Sequence, residues 1–81
     1  MKIRVLFFAQ LKERFGKEES VIEVKEGMTV GELAQLLMRQ SNLRQLESLP
    51  LLYAVNEQFE SGDKKLRDQD VLAIMTPVAG G

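Results

Sequence analysis

The stretch Met28-Thr29-Val30-Gly31-Glu32 constrains the fold more than any other in the chain. Thr29 stands three residues before Glu32, so its hydroxyl can accept from the Glu32 amide while the Glu32 carboxylate returns to the Thr29 amide, a capping box. Met28 precedes it as one half of a hydrophobic staple with Leu33, and Gly27 supplies the turn that leads in. Downstream, Val30, Leu33, Ala34, Leu37 and Met38 recur at helical spacing, with Glu32, Gln35, Arg39 and Gln40 on the other side. The spacing predicts one amphipathic helix that ends near Ser41-Asn42. No second stretch carries a comparable signal, so the rest of the core must come from strands and short turns.

Those strands read from their alternation. Lys2 to Phe8 starts with Ile3, Val5 and Phe7 opposed to Lys2 and Arg4, then turns apolar on both sides through Leu6, Phe7 and Phe8, as a strand entering the middle of a sheet does. Phe8, Leu11 and Phe15 stand at helical spacing over Ala9 to Phe15, and Gly16 is placed as a stop, which predicts a short helix. Ser20 to Lys25 is a second strand, carrying Val21, Ile22 and Val24. Leu43, Leu46 and Leu49 lie three apart and read as a further turn of helix or a loop clipped to the core, ended by Pro50. Leu51 to Val55 is a third strand, Asn56-Glu57 a tight turn, and Gln58 to Glu60 a short return. Leu66, alone among Asp63, Lys64, Lys65, Arg67 and Asp68, reads as a plug set into the core from a turn, and the mixed charges from Asp63 to Asp70 as a solvated loop. Asp70 to Met75 is the last strand, with Leu72 and Ile74 on one face and Val71, Ala73 and Met75 on the other. The order is α+β, with one principal helix on a small sheet.

At 81 residues there is room for one domain, 1–81, with roughly 60 to 65% of the unfolded surface buried. The net charge is -1 with both signs interspersed, so the basic footprint of a nucleic-acid binder is missing. Cys and His are both absent, which excludes disulfides, Cys-ligated zinc, iron-sulfur clusters and Cys or Ser-His nucleophilic centres. Paired carboxylates for acid-base work are not indicated, because Glu13, Glu18, Glu19, Glu23 and Glu26 all fall on positions expected to be exposed. The opening Met1-Lys2-Ile3-Arg4 and the lack of an apolar run long enough for a signal core or a membrane span place the chain in the cytoplasm, away from membranes, as an expectation.

The ending Met75-Thr76-Pro77-Val78-Ala79-Gly80-Gly81 is the second unusual feature. Pro77 fixes its own φ and pushes Thr76 toward an extended conformation, while the glycines lack a Cβ. A tail that is stiff at its root and thin at its tip can thread a channel too narrow for side chains and leave its last carbonyl open to attack. Gly-Gly in the final two places arises by chance about once in 200 chains, so its weight depends on the scaffold before it.

Three stretches give that scaffold a resemblance: Val5-Leu6-Phe7-Phe8-Ala9-Gln10-Leu11-Lys12-Glu13, Ala54-Val55-Asn56, and Leu66 through Asp70-Val71-Leu72-Ala73-Ile74 to Pro77-Val78-Ala79-Gly80-Gly81. The chain resembles the small, sulfur-carrying subunits of molybdopterin synthase over nearly its whole length; Asn42 to Leu49 matches nothing in them. The resemblance implies a ubiquitin-like β-grasp fold: a mixed four- to five-stranded sheet, one main helix, and a flexible Gly-Gly tail over 75–81. In it the first and last strands lie side by side and parallel, so the tail leaves from the sheet's centre. It further implies that Gly81 is adenylated by a separate ATP-dependent activating enzyme of the E1 type and thiolated by a sulfur donor. The thiocarboxylate then enters the large subunit, in a heterotetramer of two small and two large subunits, and gives its sulfur to a cyclic pterin precursor in molybdenum cofactor biosynthesis. No cofactor is held permanently, catalytic groups lie on the partners, Gly80 serves passage through a narrow channel, and Gly81 carries the acyl group.

A sheet with one helix is covered on one face only, so Val71, Ala73 and Met75 form a candidate docking stripe if Leu72 and Ile74 face the helix, and Phe59 beside its turn is a second candidate. Met75, Pro77, Val78 and Ala79 join Phe59 as expected partner-binding residues. The plain alternative for Met75, Phe59 and Val71 is packing in the core or under a loop. Rival functions are a thiamine-pathway sulfur carrier, a ubiquitin-related carrier that also modifies proteins, and a non-covalent binding module with an inert tail. Thiamine-pathway carriers are shorter and lack the Phe7-Phe8-Ala9-Gln10 opening.

Overall fold

Alternating apolar residues become paired strands, and the capped stretch becomes the one long helix. The computed structural model describes residues 1–43 and 50–76. In chain order the elements are β1 (Lys2–Phe7), α1 (Ala9–Phe15), β2 (Glu19–Glu23), α2 (Val30–Gln40), β3 (Leu52–Val55), β4 (Gln58–Glu60) and β5 (Val71–Met75). Five strands form one mixed sheet in the order β2-β1-β5-β3-β4. β1 and β5 run parallel, with Arg4, Val5, Leu6 and Phe7 opposite Val71, Leu72, Ala73 and Ile74. The other pairings are antiparallel. This is the ubiquitin-like β-grasp arrangement, and it puts β5, the strand that leads into the tail, in the middle of the sheet.

One face of the sheet and the apolar stripe of α2 make the core: Ile3, Val5, Phe7, Val55, Leu72 and Ile74 against Val30, Leu33, Ala34, Leu37 and Met38. Leu11, Leu43 and Leu66 close its edges, Leu66 as the expected plug. Leu72 has no solvent exposure, and Leu72→Ala would cost roughly 2 to 5 kcal/mol.

Both ends of α2 are satisfied, which is why it forms where it does. The capping box is complete: Thr29 N–H donates to Glu32 Oε1 at 2.9 Å and Glu32 N–H to Thr29 Oγ1 at 3.2 Å. The next two amides donate to the 62–64 loop, Val30 to the Lys64 carbonyl at 2.8 Å and Gly31 to the Gly62 carbonyl at 2.9 Å. All four orphan donors of the first turn are thereby used. A Cβ on Gly31 would stand 3.2 Å from the Gly62 carbonyl oxygen, so this close approach is what the glycine provides. At the far end Asn42 takes a left-handed φ of 60°, Leu43 N–H donates to the Met38 carbonyl at 2.7 Å and Asn42 N–H to the Arg39 carbonyl at 3.2 Å. That is a Schellman motif with its apolar contact supplied by the buried Leu43.

Two expectations are corrected. Phe8 is not on the packing face of α1; it is the helix N-cap, exposed, and Phe7 instead stacks on Phe15 with ring centroids 4.3 Å apart. Strand parity decides this, since Ile3, Val5 and Phe7 share the core face and Phe8 must leave it. Nor is Asp70 part of a solvated loop. It is 8% exposed, and its carboxylate accepts from Asn56 Nδ2 at 2.9 Å and from Arg67 N–H at 2.8 Å. Leu46 and Leu49 of the expected extra turn lie outside the described residues.

Candidate functional site

β5 alternates as its sequence predicts, Leu72 and Ile74 buried toward α2 and Val71, Ala73 and Met75 half-buried on the opposite face. The strand register extends that face sideways. Across the sheet, Phe59, Ala54, Ala73 and Leu6 stand in one row that ends on Glu19. Met75 pairs with Leu52 in the row toward the tail, and Arg4 stands between Val71 and Val21 in the row behind. Phe59 is 74% exposed, Val21 64%, and Leu52 and Phe8 46% each. Because Ala54 and Ala73 are small, the middle of the face sinks into a concavity of about 530 Å³ that Leu6 and Phe8 border. Phe8 also borders a second hollow of about 400 Å³ toward Lys12 and Glu18, so its ring is a ridge between the two. A contiguous apolar face of this kind, uncovered by a second layer among the described residues, is the shape of an interaction surface rather than of scattered exposed residues.

Ion pairs bound it on one side. Arg4 Nε donates to Glu19 Oε2 at 2.5 Å and Arg4 Nη2 to Glu19 Oε1 at 3.3 Å, a two-point contact, and Lys12 Nζ lies 2.8 Å from Glu18 Oε1. The guanidinium holds the Glu19 carboxyl below its usual range, first by hydrogen bonding and then by charge, and the carboxylate raises Arg4 in return. All four groups are exposed, so they set the charge pattern of the rim and add little to stability.

At the start of β5, Asn56 acts as a clamp. It and Glu57 form the two-residue turn between β3 and β4, with left-handed φ of 51° and 72°, as a type I′ hairpin requires. Asn56 Oδ1 accepts from Val71 N–H at 3.0 Å, Asn56 N–H donates to the Val71 carbonyl at 2.9 Å, and Asn56 Nδ2 donates to Asp70 Oδ1. The clamp fixes where β5 begins; β1 and β3 hold it on both sides to Ile74, and β3 alone holds Met75.

Of the residues expected to act, Phe59 and Met75 are both on the open face, together with Val71 and Ala73. Pro77, Val78, Ala79, Gly80 and Gly81 lie outside the described residues; the structure places the root of the tail, Met75-Thr76, at the end of the central strand. Sequence reasoning missed Leu6, Phe8, Leu52 and Ala54 as members of the same surface. The signal was there in part, since Leu6 and Phe8 break the alternation of β1, but joining them to β3 and β4 needs the register.

A ThiS family model matches residues 5–81 of the chain. The molybdopterin synthase sulfur carrier subunit of Escherichia coli is 40% identical over 81 residues, covering 98% of this chain and 99% of that one. Among solved structures, a putative molybdopterin converting factor subunit 1 from Pyrococcus furiosus superposes with a TM-score of 0.82 at 26% identity, over 96% of this chain and 99% of that one. A chain from the protein-protein complex of subunits 1 and 2 of the molybdopterin-converting factor of Helicobacter pylori matches with a TM-score of 0.68 at 26% identity, over the full length of both.

Proposed function

The chain belongs to the ThiS family, and from that premise we propose that it is the sulfur-carrying small subunit of a molybdopterin synthase, with the Gly81 carboxyl as the group that carries sulfur. The full-length match to the E. coli sulfur carrier subunit is the observation that supports this reading most directly. In it the open sheet face docks on a large subunit while the tail reaches into that partner's site; that the similar Helicobacter pylori chain comes from a complex of subunits 1 and 2 supports a partner of that kind.

The chemistry follows from what the chain has to offer. A carboxylate is a poor acyl donor, so the Gly81 carboxyl is first joined to AMP by an ATP-dependent activating enzyme, with loss of pyrophosphate. The outer sulfur of a persulfide donor attacks the acyl carbon and displaces AMP, forming an acyl disulfide. A second thiol then breaks its S–S bond, leaving with the donor sulfur as a disulfide and freeing the Gly81 thiocarboxylate. The thiocarboxylate gives its sulfur to a cyclic pterin precursor on the large subunit and is returned by water to the carboxylate. With no His or Cys in this chain, the acid, base and nucleophilic groups belong to the partners. What this chain supplies is a rigid root, a Gly80-Gly81 tip without Cβ atoms, and an apolar face to hold the tip in register. The working assembly is two small and two large subunits in the cytoplasm, and no cofactor is held by this chain.

Intact-mass measurement after incubation with ATP, an activating enzyme and a sulfur donor tests the reading. The expected result is a gain equal to the difference between sulfur and oxygen, located on the C-terminal peptide, and its loss when one residue is added beyond Gly81. No gain under conditions that charge a known carrier overturns the mechanism. Adding large subunit and pterin precursor then separates molybdopterin synthesis from thiamine-pathway or protein-modifying roles, because only the first consumes the thiocarboxylate in that mixture.

A further inference from the structure

The four methionines are the only side-chain sulfurs, because the chain has no cysteine, and they differ in their surroundings. Met38 is 1% exposed in the core. Met1 and Met28 are half-buried and pack against the core cluster, and the Met1 ammonium also donates to the Val24 carbonyl at 2.7 Å. Met75 is half-buried but stands outside that cluster. It is the last residue of β5, on the open face, paired with the exposed Leu52 and next but one to Pro77.

We propose that Met75 is a reversible oxidation site whose state sets how well the open face docks. The inference rests on the docking reading above. In the oxidation a lone pair of the thioether attacks one oxygen of hydrogen peroxide; the O–O bond breaks, the S–O bond forms, and the second oxygen leaves as water. The sulfur is oxidised by two electrons and the peroxide reduced by two. A methionine sulfoxide reductase reverses it by oxidising two thiols to a disulfide and releasing the oxygen as water.

The surroundings make the change costly to docking. The sulfoxide oxygen is a strong acceptor, and the side chains next to it on the face, Leu52 and Ala73, have no donor to offer. Met75 pairs with Leu52 of β3, and Arg4 on the same face is engaged by Glu19. Once a partner covers the face, the new dipole is left without water or a hydrogen bond. Met75 also lies at the root of the tail, so a displaced partner contact there shifts the entry of the carboxyl-bearing tip.

The test uses the full chain with its terminus as carboxylate, so that no thiocarboxylate sulfur competes. Under graded hydrogen peroxide, peptide mass mapping is expected to show the first added oxygen on the peptide holding Met75, ahead of Met28 and Met38. The singly oxidised chain is expected to bind the large subunit roughly tenfold more weakly, and a sulfoxide reductase to restore binding. Met75→Leu is expected to bind equally before and after peroxide treatment. Oxidation of Met1 or Met28 ahead of Met75 overturns the proposal. So does unchanged docking of the Met75 sulfoxide when Ala73→Arg abolishes docking, and in that case the docking reading survives. If neither change weakens binding, the docking reading fails and the proposal with it.

Discussion

The hydrogen bonds around Asp70 make a prediction that a pair of substitutions can settle. Both oxygens of the buried carboxylate accept, one from Asn56 Nδ2 and one from Arg67 N–H. Asp70→Asn keeps the shape but replaces one acceptor with a donor, so an N–H must face an N–H. Losing a charge-assisted bond and leaving a donor unsatisfied costs about 1 to 3 kcal/mol. At about 4 to 8 °C per kcal/mol for a domain of this size, the thermal midpoint should drop by roughly 4 °C or more. Asn56→Asp alone sets two carboxylates against each other and should cost at least as much. Together the two changes restore complementarity: the amide now on position 70 donates to the carboxylate now on position 56, whose other oxygen still accepts from Val71 N–H, and Arg67 N–H still finds an acceptor. The double variant should return to within about 1 kcal/mol of the parent, a coupling of order 2 kcal/mol. Urea unfolding followed by circular dichroism, with an unchanged m-value, is the assay. Additive losses in the double variant, or an Asp70→Asn cost below about 0.5 kcal/mol, would refute the clamp.

Other consequences can be checked separately. Glu57 holds a left-handed φ of 72° without being glycine, so Glu57→Gly should stabilise the chain by roughly 0.5 to 1 kcal/mol, read as a higher thermal midpoint. The capping box lowers the Glu32 carboxyl below its ordinary 4.5, chiefly through the Thr29 amide. A depressed folded-state value means that the unfolded chain binds more protons in acid. The box's contribution is therefore present at neutral pH and lost as pH falls through the carboxylate range, and carboxyl-carbon NMR should find Glu32 titrating below the ordinary glutamate range. Ala73→Arg puts a charge at the centre of the open face without entering the core; it should weaken binding to a large subunit at least about 100-fold by calorimetry while leaving the melting curve within about 0.5 kcal/mol of the parent.

How much of this was legible before the structure depended on the range of the interactions. α2 was legible, its start at the Thr29 cap and its end near Ser41-Asn42, because its signals are local: Thr29 and Glu32 three apart, and five apolar residues at helical spacing, all five of which are buried. The two faces of β5 and the Asn56-Glu57 turn were legible for the same reason. Asp70 was misread because a carboxylate in a run of mixed charges looks solvated, and its donors come from the hairpin turn fourteen residues earlier and from Arg67. Phe8 was misread because two periodicities overlap there, the helical one that links it to Leu11 and Phe15 and the strand one that puts Phe7 inward; the neighbouring strands decided for the latter. The open face required register, since nothing local in Leu52-Tyr53-Ala54 says that it stands beside Ala73 and not beside Leu72.

The placement of β5 also explains why the apolar open face coexists with a well-satisfied interior. A carrier tail must leave a fixed point, and a strand paired on both sides is the most fixed point in a five-stranded sheet. The same centrality puts Val71, Ala73 and Met75 in the middle of the uncovered face, flanked by Leu6 on one side and Ala54 and Leu52 on the other. Any partner that covers this face therefore also covers Met75, the last residue of the central strand. The small side chains at the centre suit that arrangement, because Ala54 and Ala73 leave a trough in which a partner's larger residue can seat, and the exposed rings of Phe59 and Phe8 stand on either side of it. Truncating a ring should then cost affinity by losing contact area, whereas enlarging an alanine should cost more by preventing the two surfaces from meeting at all.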